Sequence, residues 1–272
     1  MSVPEVEGRK KPSRPQKSPH LRCFISIVLL LSVLVGGSLF FLVRSGGNAK
    51  GPKAHQETPT VTPTTAIPTD TPPPQSLFFD TFADNSHGWS VTNDPGNTGY
   101  VRMIANKKLT LADTNPKTTL IESLPTTNQF DDFTLSIDFT IVKADTGDSV
   151  GIYVRGDSNL DHDYRIGLNG DNTFDVVKEY LDFNKQAQSI VLDGPHRSSA
   201  IHPLGQKNTI TVIMKGSALV LLINDTKVST VNDNDYTSGQ IALFAHVSSA
   251  SSGVTTTFSR VEVDPTPDQL PG

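Results

Sequence analysis

The feature that most limits what this chain can become is an apolar run, CFISIVLLLSVLVGGSLFFLV. It opens at Cys23, closes at Val43 and contains no charge. At about 1.5 Å per residue, a helix of this length spans roughly 30 Å, one hydrocarbon thickness. A helix buried in a soluble protein carries a polar stripe, and this run has none. It is therefore expected to be a transmembrane helix over residues 23–43, anchoring the chain in a membrane. Arg9, Lys10, Lys11, Arg14, Lys17 and Arg22 precede it, and Arg44, Lys50 and Lys53 follow. That excess puts a basic tail, residues 1–22, in the cytoplasm and the rest of the chain outside, a single-pass topology. A cleaved signal peptide is the alternative. Its apolar region is normally shorter than this one, but Gly47-Asn48-Ala49 offers small residues for cleavage. Cys23 leads the run instead of following it, which excludes a lipoprotein signal. It is read as a plain interfacial thiol, with palmitoylation as the alternative.

Residues 44–76 hold Thr58-Pro59, Thr62-Pro63, Pro68, Thr71 and Pro72-Pro73-Pro74, with almost nothing large and apolar to bury. Such a composition cannot offset its ordering entropy, so an extended, partly polyproline II linker is expected. At about 3.1 Å per residue it reaches up to roughly 100 Å. A bare spacer is the primary reading and O-glycosylation of its threonines the alternative.

Past Leu77 the texture changes to short runs of Val, Ile, Phe and Thr separated by Asp, Asn, Gly and Pro. The clearest alternates Phe133, Leu135, Ile137, Phe139 and Ile141 with Thr134, Ser136, Asp138 and Thr140, the period-two signature of a half-buried strand. Further strands are predicted over 100–104, 108–111, 118–122, 150–155, 164–168, 174–179, 240–245 and 255–263. Gly216-Ser217 and Asn224-Asp225 have turn chemistry, so 209–231 reads as a three-stranded antiparallel meander. No amphipathic helix of useful length is present. One all-β domain is expected over 77–265, a sandwich or jelly roll, followed by a disordered tail over 266–272.

Net charge is −5, and outside the N-terminal tail no cluster of Lys and Arg exists to bind phosphates, so no nucleic-acid partner is expected. Cys23 is the only cysteine, which leaves an exported domain without disulfides and dependent on its own core.

The opening Phe79-Asp80-Thr81-Phe82 followed by Gly88-Trp89 resembles the start of bacterial concanavalin A-like (laminin G-like) jelly-roll domains. Gly151-Ile152-Tyr153-Val154-Arg155 and Tyr164-Arg165-Ile166 are similar to their central strands. The close is the most specific part: Asn208, Asn224-Asp225, Tyr236, Ser238-Gly239-Gln240-Ile241-Ala242-Leu243, Phe258, Val261 and Val263. The resemblance implies a concanavalin A-like fold over 77–264. It also implies kinship with carbohydrate-binding modules, glycoside hydrolases and domains assigned as 3-keto-disaccharide hydrolases. Trp89 is read as a core plug of the opening motif, with a sugar platform as the alternative.

Glycosidase chemistry needs two carboxylates facing one bond. Hydrolases of this fold typically carry Glu-x-Asp-x-Glu on one strand, which is missing here. Past the linker the glutamates are Glu122, Glu179 and Glu262, each on its own segment. No nucleophile elbow, phosphate loop or zinc-protease motif occurs, so no catalytic residue is assigned. Asp157, Asn159, Asp161 and Asp163 alternate like calcium ligands, but His162 stands where an EF-hand requires glycine and Leu168 where it requires glutamate. No cofactor is expected; a looser structural calcium site here or at Asn232-Asp233-Asn234-Asp235 is the alternative to ordinary turn chemistry. His87, His162, His196, His202 and His246 lack zinc-ligand spacing.

Alternation suggests one candidate surface. With Val150, Ile152 and Val154 facing inward, Tyr153 and Arg155 face out. The same logic exposes Arg165 and Asn169, Glu179, and Asp138 on the long strand. Asp138, Tyr153, Arg155, Arg165 and Glu179 are thus expected to share one face as a ligand-binding floor, suited to a sugar by stacking and planar hydrogen bonding. A solvated face with cross-strand charge pairs is the competing reading. The expected function is a membrane-anchored, cell-surface module binding a glycan or another surface ligand. Alternatives are a sugar-processing enzyme of the same fold and a sensory or structural ectodomain that binds a protein.

Overall fold

The computed structural model describes residues 75–92 and 99–272. The expected tail, membrane span and nearly all of the expected linker lie outside the described residues. Among the described residues no helix is long and apolar enough to cross a membrane.

Among the described residues fourteen strands follow in chain order: β1 Phe78–Asp80, β2 Tyr100–Ala105, β3 Lys108–Asp113, β4 Thr118–Ser123, β5 Phe133–Lys143, β6 Ser149–Gly156 and β7 Asp163–Asn169. Then come β8 Thr173–Leu181, β9 Ala187–Arg197, β10 Lys207–Lys215, β11 Ala218–Ile223, β12 Thr226–Asn232, β13 Gln240–Val247 and β14 Val254–Asp264. They form two antiparallel sheets. One has the order β12-β11-β10-β5-β14-β3-β2, with β1 also paired to β14; the other runs β4-β13-β6-β7-β8-β9. The described residues form an all-β sandwich.

The period-two pattern of β5 survives in three dimensions. Phe133, Leu135, Ile137, Phe139 and Ile141 are buried, while Thr134, Ser136 and Thr140 are half-buried on the opposite face. The meander closes as β10-β11-β12. Asn224 and Asp225 carry φ of 48° and 63°, the two left-handed residues of a type I′ hairpin. The core joins β5, β10 and β14 of one sheet to β6, β7, β8 and β13 of the other through Ile137, Ile210, Phe258, Ile152, Ile166, Val176 and Leu243. Trp89 is a core plug, 3% exposed, with its Nε1–H donated to Asp80 Oδ2 at 2.6 Å.

Two strands lie outside the sequence-predicted set. β1 has only three residues. β9 is a solvent-facing edge strand that contains Gly194-Pro195 and shows no alternation. Residues 266–272 form no strand, but Lys215 Nζ donates to the carbonyls of Pro267 and Asp268 at 2.9 and 2.7 Å.

Candidate functional site

On the six-stranded sheet, Val150, Ile152, Ile166, Leu168, Val176, Leu243 and Ala245 point into the sandwich. The alternate side chains point the other way, and there they build a second, small apolar cluster. Tyr153 and Phe244 pack at 5.0 Å between centroids, joined by Ala242, Ile121 and Leu160. The guanidinium of Arg165 lies 5.8 Å above the Phe244 ring, a cation–π contact.

Arg165 is then fixed in its plane by two carboxylates of β8. Its Nε donates to Glu179 Oε1 at 2.9 Å, and Nη1 lies 3.3 Å from Asp175 Oδ1. Burial alone would lower the Arg165 pKa, but the charges of Asp175 and Glu179 outweigh it and raise it, so the cation persists. Gly167 makes this geometry possible. A Cβ there would sit 2.5 Å from Ser149 Oγ and 3.1 Å from both Arg165 Nη1 and Asp175 Oδ1.

Arg165, Asp175 and Glu179 line a pocket of about 320 Å³, completed by Tyr153, Ser149, Asn169, Thr119, Gly147 and His246. Its lining is mostly polar. Ser149 Oγ is buried without a hydrogen-bond partner, and the equally buried Asp175 Oδ1 has the Arg165 guanidinium as its ion-pair partner. Burial, then the charge of Arg165, lowers the His246 pKa, so its imidazole is neutral at pH 7; its Nδ1 is 2.9 Å from Thr119 Oγ1. Burial, then the charge of Glu179, pushes the Tyr153 phenol up and keeps it protonated.

The expected five-residue floor divides. Tyr153, Arg165 and Glu179 come together, with Asn169 beside them. Tyr153, however, is 5% exposed and packed on Phe244, so it offers an edge and a hydroxyl, not a stacking platform. Asp138 does not share this face, because β5 belongs to the other sheet. There it takes Arg260 Nε at 3.1 Å and Thr209 Oγ1 at 2.7 Å. Burial raises its pKa, but those hydrogen bonds, Arg260's first, hold it below the usual carboxylate value.

Arg155 is also absent from the floor. A φ of 52° breaks the alternation at its position and turns the side chain away. It is 2% exposed and donates to the carbonyls of Asp131 (2.6 and 2.9 Å), Gly216 (2.8 Å) and Tyr236 (3.1 Å). Three loops are pinned by one guanidinium.

Asp175 was within reach of the alternation that places Arg165, since it sits between inward-facing Phe174 and Val176. Thr119 and His246 carry no such signal, because β4 and β13 join β6 only through long-range pairing.

Asp163 is the register partner of Glu179 across β7 and β8. It is fully buried, and neither carboxylate oxygen has a hydrogen-bond partner. Burial, then the charges of Glu179 and Asp157, pushes its pKa up to about 8. In the preceding loop, donor atoms of Asp157, Asp161 and His162 lie within 4.8 Å of one another. They are engaged locally: Asp157 Oδ1 accepts the amides of Asn159 and Asp161 at 3.1 Å, and His162 Nδ1 is 2.7 Å from Asp161 Oδ1. The other acidic turn is tied up by Lys178, whose Nζ donates to Asp233 at 2.7 Å and Asp235 at 2.5 Å. Of the three glutamates past the linker, Glu122 approaches Arg102 at 3.5 Å and Glu262 bonds to Arg260, while Glu179 lines the pocket.

The family model for the 3-keto-alpha-glucoside-1,2-lyase-like domain matches residues 74–263. Among solved structures, one titled "Prominent members of the human gut microbiota express endo-acting O-glycanases to initiate mucin breakdown" superposes with a TM-score of 0.50 at 10% identity, covering 71% of this chain and 100% of that one. Carbohydrate-binding module CBM66 from Bacillus subtilis gives 0.48 at 15% identity, over 65% and 95% of the two chains. A glycoside hydrolase family 16 endo-glucanase from Bacteroides ovatus gives 0.48 at 13% identity, over 69% and 99%. No curated protein matches the chain in sequence. The fold is the concanavalin A-like jelly roll.

Proposed function

The chain belongs to the 3-keto-alpha-glucoside-1,2-lyase-like family, and from that membership we propose that its β-sandwich binds a carbohydrate, of the 3-keto-glucoside class, in the polar pocket on the outer face of the six-stranded sheet. One observation carries this reading. A guanidinium held flat between two carboxylates, over an aromatic ring, forms the floor of a pocket whose other walls are hydroxyl, amide and imidazole groups. Sugar hydroxyls donate and accept, so they match a floor that alternates fixed donors with fixed acceptors.

Calorimetric titration of the full chain in detergent with methyl 3-keto-α-glucoside and with methyl α-glucoside tests the proposal. Binding should be saturable and lost in Arg165→Ala. Heats indistinguishable from dilution for both sugars would defeat it.

A second reading, processing of the bound sugar, is favoured by Asp163 and Glu179. Asp163 is buried and its pKa is pushed up to about 8, while Glu179 opposite it is ion-paired to Arg165; two neighbouring carboxyls in unlike settings are the arrangement from which acid and base roles arise. Incubation with methyl 3-keto-α-glucoside, followed by NMR, decides it: release of methanol marks an enzyme, and unaltered sugar despite binding marks a module. With the expected span at residues 23–43, either activity would be displayed outside the membrane on the 44–76 tether, a placement supported by the uncharged run and the basic residues before it.

A further inference from the structure

A second recess adjoins the polar pocket, and Glu179 lines both. It measures about 400 Å³, lies over the ends of β8 and β9, and differs in character. Leu160, Leu181, Ala187 and Tyr180 line it beside the polar Asp161, Gln188 and Ser189. Both recesses fall in the size range of small-molecule sites.

Leu160 ties them together. It packs on the Tyr153–Phe244 cluster under the polar pocket and also forms a wall of the second recess. Its seat is built by Gly156, where a Cβ would fall 2.3 Å from Leu160 Cδ2. The wall therefore stands on the same support as the first pocket's floor.

We infer that the two recesses are subsites for one ligand: a glycoside whose sugar occupies the polar pocket and whose aglycone, apolar on at least one face, occupies the recess walled by Leu160, with the bond between them near Glu179. This rests on the sugar-binding reading above and adds to it the chemistry of the second unit. A polar floor on one side of Glu179 and a half-apolar one on the other fit an amphipathic ligand better than two identical units.

The test compares methyl and benzyl 3-keto-α-glucosides on the full chain by calorimetry. The benzyl compound should bind about tenfold tighter, since its ring leaves water for the second recess. Ala187→Phe, on the exposed edge strand, fills that recess. It should erase the benzyl advantage and leave the methyl glycoside's Kd unchanged; Leu160→Ala should reduce the advantage as well. Equal wild-type affinities, or a benzyl advantage that survives both substitutions, would overturn the inference while leaving sugar binding intact. Failure of both glycosides to bind would remove the sugar-binding reading and this inference with it.

Discussion

Asp163 and Glu179 stand opposite each other across β7 and β8, and the guanidinium of Arg165 bonds to Glu179 at 2.9 Å but not to Asp163. One carboxyl is held as a cation's partner; the other is held buried and alone. The asymmetry predicts a pH dependence with a definite sign. Asp163 has a folded-state pKa of about 8 against an unfolded value of 3.8, so the folded chain binds the extra proton between those limits. Its stabilising contribution is complete below about pH 4 and lost as pH rises to about 8. Asp163→Asn removes the titration. Urea unfolding should show the variant close to wild type at pH 4 and more stable by a few kcal/mol at pH 9. An unfolding difference that does not change with pH would show that Asp163 titrates alike folded and unfolded.

Arg155 should matter for stability and not for sugar binding. Alanine there strands the carbonyls of Asp131, Gly216 and Tyr236 in a buried setting. The cost should be about 3–5 kcal/mol by denaturant titration. Lysine should recover little of it, because an ammonium cannot reproduce the planar fork. At temperatures where the variant stays folded, its affinity for methyl 3-keto-α-glucoside should match wild type.

Gly167→Ala should do the reverse. The three atoms nearest the new Cβ, Ser149 Oγ, Arg165 Nη1 and Asp175 Oδ1, all belong to side chains, and these can shift. Stability should change by less than about 1.5 kcal/mol, yet the fixed plane of Arg165 is lost and sugar affinity should fall at least tenfold. A large drop in melting temperature with unchanged affinity would place the role of Gly167 in folding.

The long strand and the anchor are tested separately. Phe139→Ala should cost about 3–5 kcal/mol, because the ring is fully buried against Phe258, and Thr140→Ala much less. For the anchor, protease added to intact cells should remove the β domain and spare an N-terminal epitope tag. A digested tag would reverse the orientation, and a mature chain beginning near Lys50 would show a cleaved signal.

The limits of reading this site from sequence follow from particular residues. Alternation placed Tyr153, Arg165 and Glu179 correctly on one face because β6, β7 and β8 are consecutive and pair in order. It failed at Arg155, where a left-handed backbone angle reverses the side chain, and such an angle at a non-glycine residue leaves little sequence trace. Asp138 went astray for another reason. Alternation assigns a residue to a face, whereas the choice of sheet is made by pairing with β10 and β14, far along the chain. Thr119 and His246 reach the pocket through equally distant pairings. β9 escaped because its surface position leaves no apolar face to show periodicity.

The position of β14 sets an order on biosynthesis. This last strand hydrogen-bonds to β1, β3 and β5, so the first strand of the domain waits for the final one. A nascent chain halted before Val254 has hairpins but no centre to its larger sheet, and β5 and β3 have no neighbour to join them. The domain therefore matures only after Asp264 has emerged from the ribosome. During that wait its strands are open to mispairing, the exposure common to slow, non-local topologies. Chaperone demand should fall mainly on the interval between completion of β5 and arrival of the C-terminal strand.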